Sequence, residues 1–308
     1  MNIWIVVMKN KKKLSFKTKF LNFCRIFFKI PVFEKHLAKL TRDKAPSSFV
    51  SKLVPNYYQY KPNTIRQVIR NKIKFKLDIS DYLEHAAYFG FNYDDQTDLF
   101  NLCKEGDVIV DVGTNIGYVL LNFAQRVGKD GFVYGFEPNP FTYAKCVENI
   151  KLNDLSNIKV SNIGLGVDQT RGRIIVPYDR NRGAVYIEAM KASEEAKPSA
   201  DIIYANITSL DRFTQENNIN RIDLIKIDVE GFELNVLKGA KETLAKYRPK
   251  LFVEIDDTLL QRQNATSREV IKFISNFGYL IKRADTGVVI HDDYDFSNKH
   301  FDVKCLPE

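Results

Sequence analysis

The sequence predicts an α/β fold, a mostly parallel sheet with helices on both faces, behind an N-terminal extension of helix and hairpin. Three observations carry that expectation. From Gly106 onward short apolar runs alternate with amphipathic segments, the rhythm of successive βαβ units. The first of those runs ends in Gly113-Thr-Asn-Ile-Gly117, a glycine turn of the kind that leads a strand into a helix. Finally, the 308 residues are 44% hydrophobic, 27% charged and 12% aromatic, which supports a sizeable core and excludes disordered, collagen-like and low-complexity chains.

Charge divides the chain at about residue 80. Residues 1–80 hold 19 Lys and Arg against three acids (Glu34, Asp43, Asp78), whereas the rest holds 27 against 35. An acidic domain therefore carries a basic arm that seeks anionic partners. In residues 1–60, the apolar run Ile3–Met8 precedes Lys9, Lys11, Lys12 and Lys13 and is too short for a signal peptide. Met8 offers an alternative start. No stretch reaches the 18 or more apolar residues of a membrane span. Phe16, Phe20, Phe23, Phe27 and Ile30 recur at helical spacing, with Lys17, Lys19, Arg25 and Lys29 off that face. Such a stripe fits peripheral contact with a membrane, and it equally fits packing on the protein's own domain. Nucleic acid is the weaker partner, because no helix-turn-helix, zinc-finger or RNP-type pattern accompanies the lysines. Cys24, Cys103, Cys146 and Cys305 form no CxxC pair, so reduced thiols and a cytoplasmic location, peripheral to the inner membrane surface at most, are expected.

Residues 61–104 read as a cap. Residues 64–79 alternate apolar and polar around Asn71-Lys72, a β-hairpin with Ile73, Phe75, Leu77 and Ile79 on one face, and Asp81–Phe91 is helical. Within residues 105–308, strands are expected at Val108–Val112, Gly131–Phe136, Ile158–Ile163, Leu224–Ile227 and Lys250–Ile255. Helices are expected at Tyr118–Val127, Pro140–Asn153, Glu233–Tyr247 and Ser267–Phe277, and Tyr279–Arg283 with His300–Cys305 closes the sheet as an antiparallel edge pair.

Three strand ends carry the chemistry. The first is Asp111-Val-Gly113-Thr-Asn115-Ile-Gly117, whose GxxxG spacing and preceding acid suit a cationic ligand better than a pyrophosphate. The second is Phe136-Glu137-Pro138-Asn139, where an acid can grip the two hydroxyls of a ribose. The third is Lys226-Ile-Asp228-Val-Glu230-Gly231, whose two acids lie where open α/β sheets bind ligands; Glu230 could otherwise cap the next helix.

Val110–Tyr118, Phe136–Pro140 and Ile225–Leu234, followed by Leu237-Lys-Gly-Ala240 and Leu251-Phe-Val-Glu254, resemble the FkbM family of S-adenosylmethionine-dependent methyltransferases over residues 73–258. That resemblance implies a Rossmann-like class I methyltransferase fold with a seven-stranded sheet, transferring methyl to a hydroxyl, often on a sugar of a polysaccharide, glycolipid or natural product. It places the methionine moiety on Asp111, Gly113, Asn115 and Gly117, the ribose on Glu137 and the adenine near Asn162 and Ile163. Thr114 stands where the family usually has Ala.

A sugar hydroxyl needs a general base, for which Asp228 and Glu230 lead, with Glu254 and His85 behind them. Asp228, Glu230 and Asp256 also offer oxygen ligands for a divalent cation, though no metal site is assigned. Arg180, Asn181 and Arg182, in the insert 167–206, fit an acceptor-binding loop or a merely solvated one. Two other readings compete. An NAD(P)-dependent oxidoreductase is disfavoured by Asp111 and the missing GxGxxG, and a membrane-associated scaffold would have no physical need for Asp111, Gly113, Glu137 and Asp228 together.

Overall fold

The structure is a computed structural model, and it describes residues 16–91, 94–178, 180–189, 202–291, 293–297 and 299–308. Residues 1–15 and 190–201, which include Ser193–Ser199, lie outside the described residues. Helix α1 (Phe16–Arg25) runs into a 3-10 turn at Ile26–Lys29, and α2 (Pro31–Leu40) follows. One helix through Ile30 is not formed, because Pro31 restricts its predecessor: Ile30 is extended and Pro31 starts α2. Strands β1 (Ile65–Arg70) and β2 (Ile73–Asp78) form the antiparallel hairpin, with Asn71 and Lys72 both at positive φ in its turn. Helix α3 (Tyr82–Phe89) is capped at its start by Asp81 and ends at Gly90 in the left-handed region. Helix α4 (Asp94–Leu102) leads into the core.

Packing is continuous across residue 60. Leu37, Val54 and Tyr60 share one hydrophobic cluster with the hairpin residues Ile73, Phe75 and Leu77, and with Ile116 and Leu121 of the core.

The core alternates as its sequence does: β3 (Val108–Val112), α5 (Tyr118–Val127), β4 (Phe132–Phe136), α6 (Pro140–Lys151), β5 (Ile158–Ser161). The insert is not a plain loop. Strands β6 (Gly164–Leu165), β7 (Thr170–Ile175), β8 (Tyr186–Ala189) and β9 (Ile203–Thr208) form a second sheet in the order β6-β9-β7-β8. Then come α7 (Leu210–Glu216), β10 (Leu224–Ile227), α8 (Glu233–Lys238), α9 (Lys241–Tyr247), β11 (Lys250–Asp256), α10 (Asp257–Arg262), α11 (Ser267–Ser275), β12 (Tyr279–Arg283) and β13 (His300–Pro307). The single helix expected over 233–247 is two, broken at Gly239-Ala240. A Cβ on Gly239 would lie 1.8 Å from the carbonyl oxygen of Gly166, so two backbones meet there and leave no room for a side chain.

The main sheet has seven strands in the order β12-β13-β11-β10-β3-β4-β5. The five strands from β11 to β5 are parallel, and β13 lies antiparallel between β11 and β12. After β3 the chain builds outward through β4 and β5, then returns to lay β10 on the other side of β3. The carboxyl ends of β3 and β10 thus flank the switch point where such sheets open a ligand crevice.

Candidate active site

A cleft of about 200 Å³ opens at that switch point. Its floor comes from the ends of β3, β4 and β10 and its sides from Gly164 and Leu165 of β6, Ile187 of β8 and Phe232 before α8. Leu83 of α3, with Arg182, Gly183 and Val185, forms a wall that folds over from the insert.

The glycine turn makes the floor possible. Gly113 sits at φ +81°, and a Cβ there would come 1.8 Å from the carbonyl oxygen of Asp228, so the turns after β3 and β10 touch through bare backbone. Gly117 is the N-cap of α5 and packs on Cys146 rather than lining the cleft. Thr114 is likewise turned inward. Its hydroxyl donates to the Asp111 carbonyl at 3.0 Å and accepts from the Phe136 N–H at 2.9 Å, tying β3 to β4.

Glu137 closes one end of the cleft. Its Oε2 accepts from the Asn115 N–H at 2.8 Å and its Oε1 from the Asn139 N–H at 3.0 Å. Burial raises its pKa to about 7 against the pull of those two donors. Each carboxylate oxygen keeps a second lone-pair direction, as a diol donor would need. Asn162 donates to the carbonyls of Glu137 and Pro138 and so braces this strand end without lining the cleft. Ile163 faces a separate depression beside Phe213, and the residues that adjoin Glu137 in the cleft are Pro138, Gly164 and Leu165.

Asp111 lies beneath the floor, fully buried, and does not line the cleft. Opposite it in register on β10 stands Lys226. The Lys226 Nζ is 3.4 Å from Asp111 Oδ1, an ion pair without hydrogen-bond geometry, and 3.1 Å from Asp228 Oδ2, and it donates to the Gly113 carbonyl at 3.0 Å. Burial opposes the charge on Lys226, but Asp228 and Asp111 outweigh it and hold the ammonium pKa above its usual value. Burial pushes Asp111 up to about 6, with Lys226 working the other way. Sequence reasoning gave Lys226 no role; its signal was a lysine inside the apolar strand Leu-Ile-Lys-Ile.

The other end of the cleft is acidic. Asp228, Glu230 and Glu254 all line it. Glu233, not Glu230, braces this turn, its Oε1 accepting from the N–H groups of Val229 and Gly231. Glu230 itself sits at φ +56°, and burial, then Asp228 and Glu233, raises its pKa to about 8. Glu254 is raised well above its usual range by burial and the same acidic neighbours; its Oε2 has no hydrogen-bond partner among the described residues, and His300 Nε2 lies 3.6 Å from its Oε1. Asp256 spends Oδ1 on capping α10 and Oδ2 on His300. Among the described residues no three His, Cys, Asp or Glu side chains gather at metal-ligand spacing, so the cation expectation finds no support.

His85, Arg180 and Asn181 do not line the cleft either. His85 is buried among Tyr57, Tyr60 and Phe89, with Nε2 2.8 Å from the Pro55 carbonyl. Burial lowers its pKa to about 4, so it is a neutral packing residue rather than a base. Arg180 donates to the carbonyls of Tyr58 and Tyr60 and fastens the insert to the arm. Arg182 does line the cleft but is already spent: it donates to Asp78 at 2.7 Å and to Glu84 at 3.4 Å, while its backbone N–H donates to Asp81. The Asn181 Oδ1, in the same loop, is buried without a partner among the described residues.

A family model described as the methyltransferase FkbM domain matches residues 111–281, more than half of the chain. The chain belongs to the FkbM methyltransferase family. It is therefore an S-adenosylmethionine-dependent methyltransferase. The chain is similar to Methyltransferase 1 of Beauveria bassiana, 25% identical over 70% of this chain and 92% of that one. The 2-O-methyltransferase NoeI of Sinorhizobium fredii is 27% identical over 56% of this chain and 73% of its own. The hexuronic acid methyltransferase AglP of Haloferax volcanii is 28% identical over 60% and 74%. The matched FkbM region begins at Asp111 and contains the glycine turn, Glu137 and all three cleft acids of the β10 and β11 ends.

Proposed function

We propose that the cleft methylates a hydroxyl of a neutral sugar in a glycan or glycolipid. The observation that carries this reading is one cleft with a buried, backbone-braced carboxylate at one end and carboxylates of raised pKa at the other. When bound, S-adenosylmethionine supplies an electrophilic methyl on a sulfonium. Glu137 would hold the ribose hydroxyls, Gly164 and Leu165 the adenine face, and the Gly113–Asn115 backbone with Asp228 the methionine end. Asp111 acts from below, with Lys226, by fixing the turn that Gly113 and Asp228 share.

Glu230 is the general base in this scheme. A carboxyl near pKa 8 binds a proton far more readily than an ordinary glutamate, yet is partly ionised at neutral pH, which is the compromise that proton abstraction from a hydroxyl asks for. Glu254, beside it, keeps a second acceptor facing the same space. Most of the acceleration comes from positioning the acceptor oxygen, which the wall of Leu83, Val185 and Ile187 restricts.

The acceptor's charge follows from the lining. Arg182 is neutralised by Asp78 and Glu84, and the remaining charged lining residues Glu137, Asp228, Glu230 and Glu254 are acids. A uronate carboxylate would find no unpaired cation in this lining, so a neutral hexose or deoxyhexose is favoured. The relatives named for 2-O- and hexuronic acid methylation support sugar chemistry. Titration with S-adenosylhomocysteine and separately NADH, then transfer of labelled methyl to paired neutral and uronate oligosaccharides, tests this. Binding of the former with transfer to the neutral partner is expected. NADH binding, or transfer to the uronate alone, would overturn it.

A further inference from the structure

Residues 16–54 present a surface that methyl transfer does not use. Phe20, Phe23, Phe27, Ile30, Val32 and Phe33 are all exposed, Phe23 to 71% and Val32 to 73%. Phe27 and Phe33 join the two helical segments, their rings 4.3 Å apart across the junction of the 3-10 turn and α2. Phe20, Phe23, Phe27 and Ile30 of the stripe read from sequence are thus turned away from the protein's own domain, and the Phe16 side chain lies outside the described residues. Phe49, 82% exposed, projects from the loop that follows α2.

This face is held outward by its own underside. On α2, Glu34, Leu37 and Ala38 are buried, one helical stripe against the hairpin and α3, and Glu34 pairs with Arg66 at 2.6 Å. Arg25 donates to the Lys52 carbonyl and Lys29 to that of Gln59, which fastens α1 and the turn. Rotation inward would break these bonds, so the apolar face is a fixed feature of the fold.

Cations surround it. Lys19, Lys35, Lys39, Lys44 and Lys52 are exposed, while the acids of residues 16–54 are Glu34, buried and paired, and Asp43, 3.5 Å from Arg42. Lys9, Lys11, Lys12 and Lys13 precede the patch in sequence. We infer that this face docks on an anionic lipid bilayer, with the phenylalanines entering the headgroup boundary and the lysines meeting lipid phosphates. An apolar patch rimmed by cations of one sign suits that partner. A second copy of the chain would bring like charges together. The inference goes beyond the methyl-transfer reading and stands without it.

The test is co-sedimentation of the full chain with vesicles of phosphatidylcholine alone and of phosphatidylcholine with phosphatidylglycerol. Binding to the anionic vesicles, falling as salt rises, is expected. The Phe23→Glu/Phe27→Glu variant should lower the bound fraction about tenfold or more, with an unchanged melting temperature as its control for folding. Lys35→Glu/Lys39→Glu should weaken binding to anionic vesicles alone. Equal binding by wild type and the phenylalanine variant, or no binding to either vesicle, would overturn the inference. So would a concentration-dependent dimer that the phenylalanine variant abolishes, or capture of a single-stranded oligonucleotide in place of vesicles.

Discussion

The two ends of the cleft hold the same chemical group in opposite circumstances. At the β4 end, Glu137 is buried but receives two backbone N–H donors. At the β10–β11 end, Glu230 and Glu254 are crowded by other acids, and Glu254 has an oxygen with no donor among the described residues. Burial raises the pKa in both places, yet only the first site is built to be satisfied before a ligand arrives. Under the proposed reaction the difference is a division of labour: the braced carboxylate would hold a ligand in one position, whereas the unbraced ones would take a proton. Lys226 stands between the ends, bound to the Gly113 carbonyl and to Asp228.

Breaking the unbraced end should have the largest effect. Glu230→Gln should lower kcat by about a thousandfold and remove the pH dependence near 8, while S-adenosylhomocysteine affinity, read by calorimetry, stays within about twofold of wild type. A comparable loss of affinity would reassign Glu230 to binding. Next, Lys226→Met leaves Asp111 as an uncompensated buried acid and should cost about 3 kcal/mol of stability in denaturant unfolding. A neutral outcome would mean that Asp111 simply takes up a proton. Third, Glu137→Ala should weaken S-adenosylhomocysteine binding by about thirtyfold through loss of charge-assisted bonds to the ribose, and unchanged affinity would remove the ribose assignment.

A last effect is on stability against pH. Asp111, Glu137, Glu233 and Glu230 have folded pKa values of about 6, 7, 7 and 8, each above its unfolded value. The folded state therefore keeps protons that the unfolded chain releases, and stability falls as pH rises from about 4 to about 8. Melting of the ligand-free protein across that range should show the decline, and Glu230→Gln should flatten its upper part. A melting temperature that rises over the same range would contradict the raised values.

Most of the parallel sheet was legible because its strands are short apolar runs bounded by Gly, Asn and Pro, and the sequence carries those boundaries itself. What it does not carry is which way a side chain faces once strands are laid side by side. Asp111 reads as a ligand residue and lies under the floor; its partner Lys226, 115 positions on, is set beside it by strand register alone. His85 reads as a base and is sealed by aromatic rings, while Arg182 reads as a free cation and is held by acids from the cap. Ile163 and the residues after it show a smaller slip, with the cleft lined by Gly164 and Leu165 because β5 ends at Ser161 and the chain moves to the second sheet. The break between α8 and α9 needed knowledge of Gly166, which meets Gly239 only in the folded chain.

The position of β13 bears on how the protein is made. Strand β12 reaches the sheet only through β13, and β13 also covers the edge of β11, the strand that carries Glu254. A nascent chain that has emerged only as far as residue 299 therefore has an open β11 edge and an unattached β12. The acidic end of the cleft is finished last, after the glycine turn and Glu137 have long been available to fold. Messages truncated shortly before codon 300 should yield chains that expose this edge to aggregation and to proteases.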